Sequence, residues 1–298
     1  MTAINPMTAN AASLPQPDER QIAGYDVLRT LGTGAGSTLY LVNDRRGTSF
    51  ALKHVVIKTK ADRRFADQAI AEHAVAQRFD DPRIRKSLKV HKLRDLLALS
   101  GLAVLMEYVD GATLDDLPTI HPAQLYMVFR EAAAALEVMH RAGYVHADIK
   151  PSNIMLTRAE GNRGVSIKLI DFGQSCPINT VKQRIQGTPD YMAPEQAKRR
   201  AVDARTDIYC LAATMYNLLT GAKASRALRP KGDVGKLVAN TSDGDRRTPA
   251  HELNPDIAPA MSALLSDCLA RRPDDRPATV TQVMDRLDLA IRQAQRAG

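Results

Sequence analysis

The sequence predicts an α+β fold of two lobes: a small lobe with an antiparallel β-sheet and one main helix, then a larger, mainly helical lobe. Two observations support this prediction. Between residues 25 and 108, short apolar runs of β-type alternate with glycine and polar turns. After Asp110 and Gly111, long segments carry apolar residues at helical spacing. The length of 298 residues is sufficient for both lobes.

The small lobe is expected to consist of strands joined by turns, with one helix among them. The strands are predicted at residues 25–31, 38–42, 50–57, 88–93 and 102–108, and the helix at 66–79. The large lobe is expected to contain helices at 122–142, 207–219, 258–270 and 279–296. A surface loop is predicted at 225–252, which is rich in Arg, Asp, Gly and Pro.

The domain organisation follows from the same patterns. Pro6, Pro15 and Pro17 lie in a segment of Ala, Asn and Thr that is typical of a disordered leader. The expected divisions are a leader at 1–22, a domain at 23–290 with lobes 23–109 and 110–290, and a C-terminal tail at 291–298.

Composition limits the function classes. Hydrophobic residues make up 44% of the chain and charged residues 25%, and the mean hydropathy is −0.26. These values are typical of a soluble enzyme and exclude a collagen-like or disordered chain. Lys and Arg number 41 against 33 Asp and Glu, which gives a net charge of +8. This excess alone is a weak indication of nucleic-acid binding, and aromatics at 4% argue against a base-stacking surface. No nucleic-acid partner is expected.

The cysteines and the apolar runs indicate the compartment. Cys176, Cys210 and Cys268 lie far apart and form no CxxC motif, so neither a disulfide framework nor a Cys-rich zinc site is expected. No apolar run approaches the roughly 20 residues of a membrane-spanning helix, and the first residues do not resemble a secretory signal. We expect a cytoplasmic protein without a membrane span.

A glycine cluster lies between the first two predicted strands, at Gly32, Gly34 and Gly36. Glycines let backbone N–H groups approach a phosphate closely, although a glycine-rich hairpin turn produces the same pattern. Lys53 lies on the next strand between apolar residues, which would turn its ammonium inward, where it needs an anion. Glu72 on the predicted helix is a candidate partner.

The most informative segment brings a carboxylate, a lysine and a carboxamide close together. Asp148, Lys150 and Asn153 lie between apolar residues, and Asp171 follows in the sequence Ile-Asp-Phe-Gly. Residues 187–195 then read Gly-Thr-Pro-Asp-Tyr-Met-Ala-Pro-Glu. Each residue alone could be an ordinary polar surface residue. Their order and spacing together are not explained in that way.

These motifs resemble those of the protein kinase family, and most nearly bacterial serine/threonine kinases of the eukaryotic (Hanks) type. The H-R-D-x-K-x-x-N and D-F-G patterns match with one change, Ala147 in place of Arg, and the resemblance covers residues 25–289. It implies a two-lobed protein kinase fold. It also implies transfer of the γ-phosphate of ATP, with Mg²⁺, to Ser or Thr hydroxyls of protein substrates, including the kinase itself.

The resemblance also implies residue roles. Asp148 would orient the attacking hydroxyl and accept its proton, and Lys150 would neutralise the γ-phosphate. Asn153 and Asp171 would hold Mg²⁺. The residues implied to bind the nucleotide are Leu31, Gly32, Gly34, Gly36, Ser37, Leu39, Lys53, Glu72, Glu107, Val109, Asn153 and Asp171.

Within that set, Lys53 held by Glu72 would bind the α- and β-phosphates. The backbone of Glu107 and Val109 would hydrogen-bond adenine between the lobes, with Met106 as the gatekeeper.

Further positions separate a protein kinase from a small-molecule kinase. The resemblance implies an ion pair between Glu195 and Arg276 beneath the peptide-binding floor, and an Asp207 that braces the catalytic loop. Thr188 stands where serine/threonine kinases keep a threonine near the catalytic Asp and Lys. With Lys150, these residues favour serine/threonine over tyrosine specificity.

Two departures from the family pattern affect the expectations. Ser37 occupies the place of the third loop glycine, and Gly36 comes one position early, which predicts an altered ATP affinity. Ala147 replaces an arginine that usually binds a phosphate on the activation segment, here residues 171–195. We therefore expect activity without phosphorylation of Ser175 or Thr180 in that segment.

Lys182 and Arg184 are the remaining cations in the segment that a phosphate could bind.

The alternative functions belong to other classes. A pseudokinase or scaffold normally lacks one of the catalytic residues, and here Lys53, Asp148, Asn153 and Asp171 are all present. A small-molecule kinase is disfavoured by the segment 187–195, and a basic nucleic-acid-binding protein is a more distant alternative. The sequence leaves the protein substrate, the activating signal and the oligomeric state open.

Overall fold

The structure, a computed structural model, describes residues 21–34, 36–96, 98–117, 120–157, 165–224, 228–231, 236–239 and 247–297. Residues 1–20 of the leader predicted at 1–22, and much of the predicted loop after residue 224, lie outside the described residues. Contacts divide the chain into two compact units. The first contains the described residues up to Gln77 and Lys86–Tyr108, and the second contains Arg78–Arg85 and the residues from Val109 onward.

The first unit is an antiparallel β-sheet with one α-helix. The sheet has six strands in the order β1-β2-β3-β4-β6-β5. They are β1 (Gln21–Ile22), β2 (Tyr25–Gly34), β3 (Ser37–Asn43), β4 (Ser49–Val56), β5 (Ser87–Asp95) and β6 (Ala98–Glu107). The helix α1 (Arg63–Ala76) packs Ala66 and Ala69 against apolar residues of β4 and β6. This unit matches the small lobe that the sequence predicts.

The leader ends earlier than predicted. Gln21 and Ile22 form β1, which pairs with Tyr25 and Asp26 of β2. Ile22 is buried in a cluster with Val27 and other sheet residues. Strand pairing and burial therefore include these two residues in the fold, although the proline-rich context before them favours disorder.

The second unit contains the remaining helices and several short strands. The helices are α2 (Pro122–Arg141), α3 (Pro194–Ala197), α4 (Ala204–Thr220), α5 (Ala250–Leu253), α6 (Pro259–Cys268) and α7 (Val280–Ala297). The strands are β7 (Gly111–Thr113), β8 (Tyr144–Val145), β9 (Ile154–Thr157), β10 (Ser166–Leu169), β11 (Cys176–Pro177), β12 (Thr180–Val181), β13 (Ala201–Val202), β14 (Leu228–Lys231) and β15 (Lys236–Ala239). They form a three-stranded sheet, β10-β9-β7, and the pairs β11-β8, β12-β13 and β14-β15.

The helix α4 is the buried centre of the second unit. Asp203 caps its N-terminus by accepting a hydrogen bond from the Arg205 N–H at 2.8 Å. Gly221, at φ +71°, ends it in the left-handed conformation. The helix contacts α2, α6 and α7, so most of its side chains are buried.

Three boundaries differ from the prediction. Residues 78–85 belong to the second unit because Ile84 bridges Leu169 of β10, so a single boundary after residue 109 does not describe the units. The last helix continues to Ala297, beyond the tail predicted from residue 291. The predicted loop contains the start of α5 and the paired strands β14 and β15. The proline and charged residues of these strands do not give a strand pattern in the sequence.

Among the described residues, no helix is both long and apolar enough to cross a membrane.

The glycine cluster forms the hairpin between β2 and β3. Gly34 pairs with Ser37, and Gly36 between them adopts φ +78°. A Cβ at Gly36 would lie 2.3 Å from the ring of Phe65, just inside α1. Glycine is therefore required at position 36. Ser37 occupies the next position, at the start of β3, in a strand conformation that serine adopts readily.

We expect Gly36→Ala to lower the free energy of unfolding by at least about 1–2 kcal/mol, the cost of a left-handed residue with a Cβ. Gly32→Ala is the matched control, because nothing lies within 4 Å of its added Cβ. Urea denaturation of both variants measures the difference. Equal midpoints would contradict the role of Gly36.

Candidate active site

In the first unit, the predicted lysine and glutamate form an ion pair. The Nζ of Lys53 on β4 lies 2.5 Å from Oε2 of Glu72 on α1. The Glu72 side chain is 7% exposed and that of Lys53 is 25% exposed. An ammonium has three donors, so Lys53 can bind an anion while Glu72 holds it in position.

The other residues of the first unit that are expected to bind the nucleotide lie along its strands. Leu31 on β2 and Leu39 on β3 pack against the apolar cluster beneath α1. Gly32 and Gly34 form the exposed end of β2, followed by Gly36 in the turn and Ser37 at the start of β3.

The residues expected to hold adenine are described separately in each unit. The backbone N–H of Glu107 donates to the Lys86 carbonyl at 2.9 Å, and its carboxylate accepts from the Lys86 N–H at 3.0 Å. Met106, before it on β6, is buried. Val109 is buried and belongs to the second unit. Their contacts with adenine stay predictions.

In the second unit, a buried carboxylate holds the catalytic loop. Asp207 on α4 accepts hydrogen bonds from the backbone N–H groups of His146 at 2.8 Å and Ala147 at 2.7 Å, and lies 2.9 Å from Nε2 of His140. Burial raises the pKa of Asp207, but the His140 hydrogen bond, nearby histidines and the Ala147 N–H outweigh it, so the pKa is lowered overall. The carboxylate is thus ionised at neutral pH and braces the loop as the sequence predicts.

The backbone of Ala147 shows what this bracing maintains. Its φ is +61°, which is uncommon for a residue with a Cβ. The residue is completely buried, with its N–H on Asp207 and its carbonyl accepting from Nε2 of Gln196 at 2.8 Å. These two hydrogen bonds fix the backbone immediately before Asp148.

Donors surround the Asp148 carboxylate. Its Oδ2 lies 2.9 Å from Nζ of Lys150, and its Oδ1 accepts from the N–H of Thr188 at 3.0 Å and from its hydroxyl at 3.1 Å. Lys150 also donates to Oγ1 of Thr188 at 3.0 Å. Asp148, Lys150 and Thr188 therefore meet as expected, although Thr188 is forty residues away in the chain.

The predicted metal ligands are brought together by the β9-β10 hairpin. Asn153 precedes β9 and Asp171 follows β10, and the N–H of Ile170 donates to the Asn153 carbonyl at 3.0 Å. Nδ2 of Asn153 donates to the Asp148 carbonyl at 2.8 Å. Asp171 adopts φ +66° and accepts from the Gly173 N–H at 3.1 Å.

These side chains fit Mg²⁺. Within the described part of the chain, Oδ1 of Asn153 accepts no hydrogen bond, and carboxamide and carboxylate oxygens are the hard ligands that Mg²⁺ prefers. Mg²⁺ takes most of its other ligands from water and phosphate. Two protein residues are therefore a sufficient donor set.

The predicted ion pair between Glu195 and Arg276 is confirmed. Arg276 binds Glu195 through both guanidinium ends, at 2.7 and 2.9 Å, and the side chains are 0% and 4% exposed. The hydroxyl of Thr206 donates to Glu195 at 2.9 Å, and Arg276 also donates to the carbonyls of Ala270 and Arg205. The buried charges are thus fully hydrogen-bonded, as burial requires.

The sequence did not predict the contacts of three residues near this site. His140 contacts Asp207, Gln196 holds the Ala147 carbonyl, and Lys182 donates to Gln174. A polar residue at an inward position of the apolar helix α2 was an available signal for His140. The other two have the pattern of ordinary surface residues.

We expect Arg276→Met to lower the free energy of unfolding by about 3–5 kcal/mol, because it leaves the Glu195 charge buried without a partner. The control is Arg272→Met, since Arg272 lies 3.9 Å from Asp275 with both side chains exposed, and a surface pair contributes about 0–1 kcal/mol. Chemical denaturation compares the two. A loss below about 1 kcal/mol in Arg276→Met would refute the structural role of the pair.

Comparison with known proteins agrees with the resemblance to protein kinases. The sequence matches the protein kinase domain family over residues 25–287. It is 33% identical over 190 residues, 60% of this chain, to serine/threonine-protein kinase PknB of Mycolicibacterium smegmatis. It is 32% identical over 277 residues, 87% of the chain, to a probable serine/threonine-protein kinase of Streptomyces coelicolor. It is 31% identical over 261 residues, 84% of the chain, to serine/threonine-protein kinase PknJ of Mycobacterium tuberculosis.

The chain spans 29%, 39% and 42% of the lengths of these three relatives. The family match covers most of the chain, and the lysine–glutamate pair, the braced catalytic loop and the buried floor ion pair have the expected geometry. The chain belongs to the protein kinase family.

Proposed function

We propose that this chain is a serine/threonine protein kinase that transfers the γ-phosphate of ATP to Ser or Thr hydroxyls of proteins, including its own. The proposal rests on the hydrogen bonds of the Asp148 carboxylate. Its Oδ2 accepts from Lys150, and its Oδ1 accepts from Thr188. A carboxylate held by donors at a loop end is suited to orient a hydroxyl and accept its proton. The names of the bacterial relatives support the same substrate class.

The reaction assigns a role to each group. The substrate hydroxyl oxygen bonds to the γ-phosphorus as the bond from that phosphorus to the ADP oxygen breaks, and Asp148 takes the hydroxyl proton. Lys150 offsets the charge on the transferred phosphoryl group, and Lys53, held by Glu72, binds the α- and β-phosphates. Bound Mg²⁺, held by Asn153 and Asp171, would neutralise phosphate charge.

Leu31 and Leu39 would contact the adenosine of ATP through their apolar side chains. Glu107 and Val109 would contact it through their backbone groups. The N–H groups of the β2-β3 hairpin, from Gly32 to Ser37, would cover the phosphates.

The alternative proposal is an ATP-binding pseudokinase that acts as a scaffold. The presence of Lys53, Asp148, Asn153 and Asp171 counts against it, and so does the intact 2.5 Å pair between Lys53 and Glu72. We also propose a cytoplasmic, reducing location, because Cys176, Cys210 and Cys268 are all free thiols.

We expect Asp148→Asn to reduce kcat by about 10²–10⁴-fold, the contribution of a positioned general base. Lys53→Met should reduce phosphate transfer by a comparable factor, because the phosphates lose their cation. Transfer of labelled phosphate from ATP to a basic protein such as histone, with Mg²⁺, measures both effects.

Asp110→Asn is the control, since it makes the same exchange at an exposed aspartate. Circular dichroism verifies that each variant is folded. A folded Asp148→Asn protein that keeps more than a tenth of the normal kcat would disprove its catalytic role. A wild-type protein that binds ATP but transfers no phosphate would favour the pseudokinase.

A further inference from the structure

Lys182 is a half-buried lysine in the middle of the activation segment, just after β12. Its Nζ donates to the backbone carbonyl of Gln174 at 2.5 Å and lies 3.3 Å from Oε1 of the same residue. Gln174 directly follows the Asp171-Phe172-Gly173 sequence. The ammonium therefore joins the start of the segment to its middle.

The surroundings of Lys182 are unusual for a surface cation. Burial lowers its pKa, and the negative charges of Asp148 and Asp207 oppose this effect. Within the described residues, its hydrogen bonds go to Gln174 alone. Burying a cation costs free energy unless hydrogen bonds or opposite charges compensate for the lost water.

The hydroxyls of the segment that could accept a phosphate, those of Ser175 and Thr180, already donate hydrogen bonds when they are unphosphorylated. Ser175 Oγ donates to the His146 carbonyl at 3.3 Å, and Thr180 Oγ1 donates to the Pro177 carbonyl at 2.6 Å. A phosphate on either oxygen would remove these hydrogen bonds. The described conformation is thus stabilised without a phosphate.

The catalytic loop contributes no cation at the position next to Asp148. Ala147 is buried among Val145 and Val202, with Cys176 of the segment packed against them. Lys182 instead supplies a positive charge from the segment itself.

We propose that Lys182 is a positioning residue whose ammonium holds the Gln174 carbonyl and thereby orders the unphosphorylated activation segment so that Thr188 meets Asp148. In other activation segments a bound phosphate orders the chain, and here the Lys182 ammonium does so instead. This inference rests on the proposed kinase activity. In the described conformation the hydrogen bonds of the Lys182 ammonium go to Gln174.

The test replaces Lys182 by Met, which keeps the length and removes the donors, and by Arg, which keeps a cation. The control is Arg184→Met, an exposed cation of the same segment. Each protein is treated with phosphatase and verified by mass spectrometry. The kinetic readouts are kcat and KM for ATP with histone as acceptor, and the structural readout is amide hydrogen exchange over residues 174–188.

We expect Lys182→Met to lower kcat at least tenfold with KM for ATP changed less than threefold, and to speed exchange over 174–188 at least tenfold. Lys182→Arg should keep at least a third of kcat, and Arg184→Met should match the wild type. A kcat within twofold of wild type in Lys182→Met, unchanged exchange in that variant, or an Arg variant as impaired as the Met variant would overturn the proposal.

The two proposals fail in different ways. If the wild type transfers no phosphate, the proposed function is wrong, and the exchange measurement alone then decides whether Lys182 orders the segment.

Discussion

The catalytic loop depends on one buried anion, the Asp207 carboxylate. It accepts two consecutive backbone N–H groups, of His146 and Ala147, and contacts His140. Without it, two buried donors would lose their partners, each at a cost of about 1–3 kcal/mol. The left-handed backbone of Ala147 would also lose its support. Because Asp148 is the next residue, the direction of its carboxylate follows from this constraint.

The activation segment is fixed to the same loop from its other side. Thr188 binds Asp148, and Gln196 binds the Ala147 carbonyl. The pair of Glu195 and Arg276 anchors the end of the segment against α4, which also carries Asp207. One helix therefore supports both Asp148, the proposed general base, and the surface on which a peptide would lie, so the account links packing in the second unit to catalysis.

Much of this site follows from sequence because its residues lie in short motifs with fixed spacing. The contacts of Asp207 and the pairing of Glu195 with Arg276 were expected from the resemblance, although the second joins residues 81 positions apart. The contacts of Lys182 and the approach of Phe65 to Gly36 could not be expected. These contacts depend on tertiary packing. The local sequence around a lysine or phenylalanine in a polar segment is the same whether its side chain turns inward or outward.

The most direct test of this account is the turnover of Asp207→Asn, which keeps the shape of the side chain but presents an amide without charge to two N–H donors. Asp203→Asn on the same helix is the control, because Asn is as good a helix cap as Asp. With both proteins shown to be folded at the assay temperature, the account predicts that kcat for phosphate transfer falls at least tenfold in Asp207→Asn, which is about 1.4 kcal/mol of transition-state stabilisation, and is unchanged in the control. A kcat within twofold of wild type in the folded Asp207→Asn protein would contradict it.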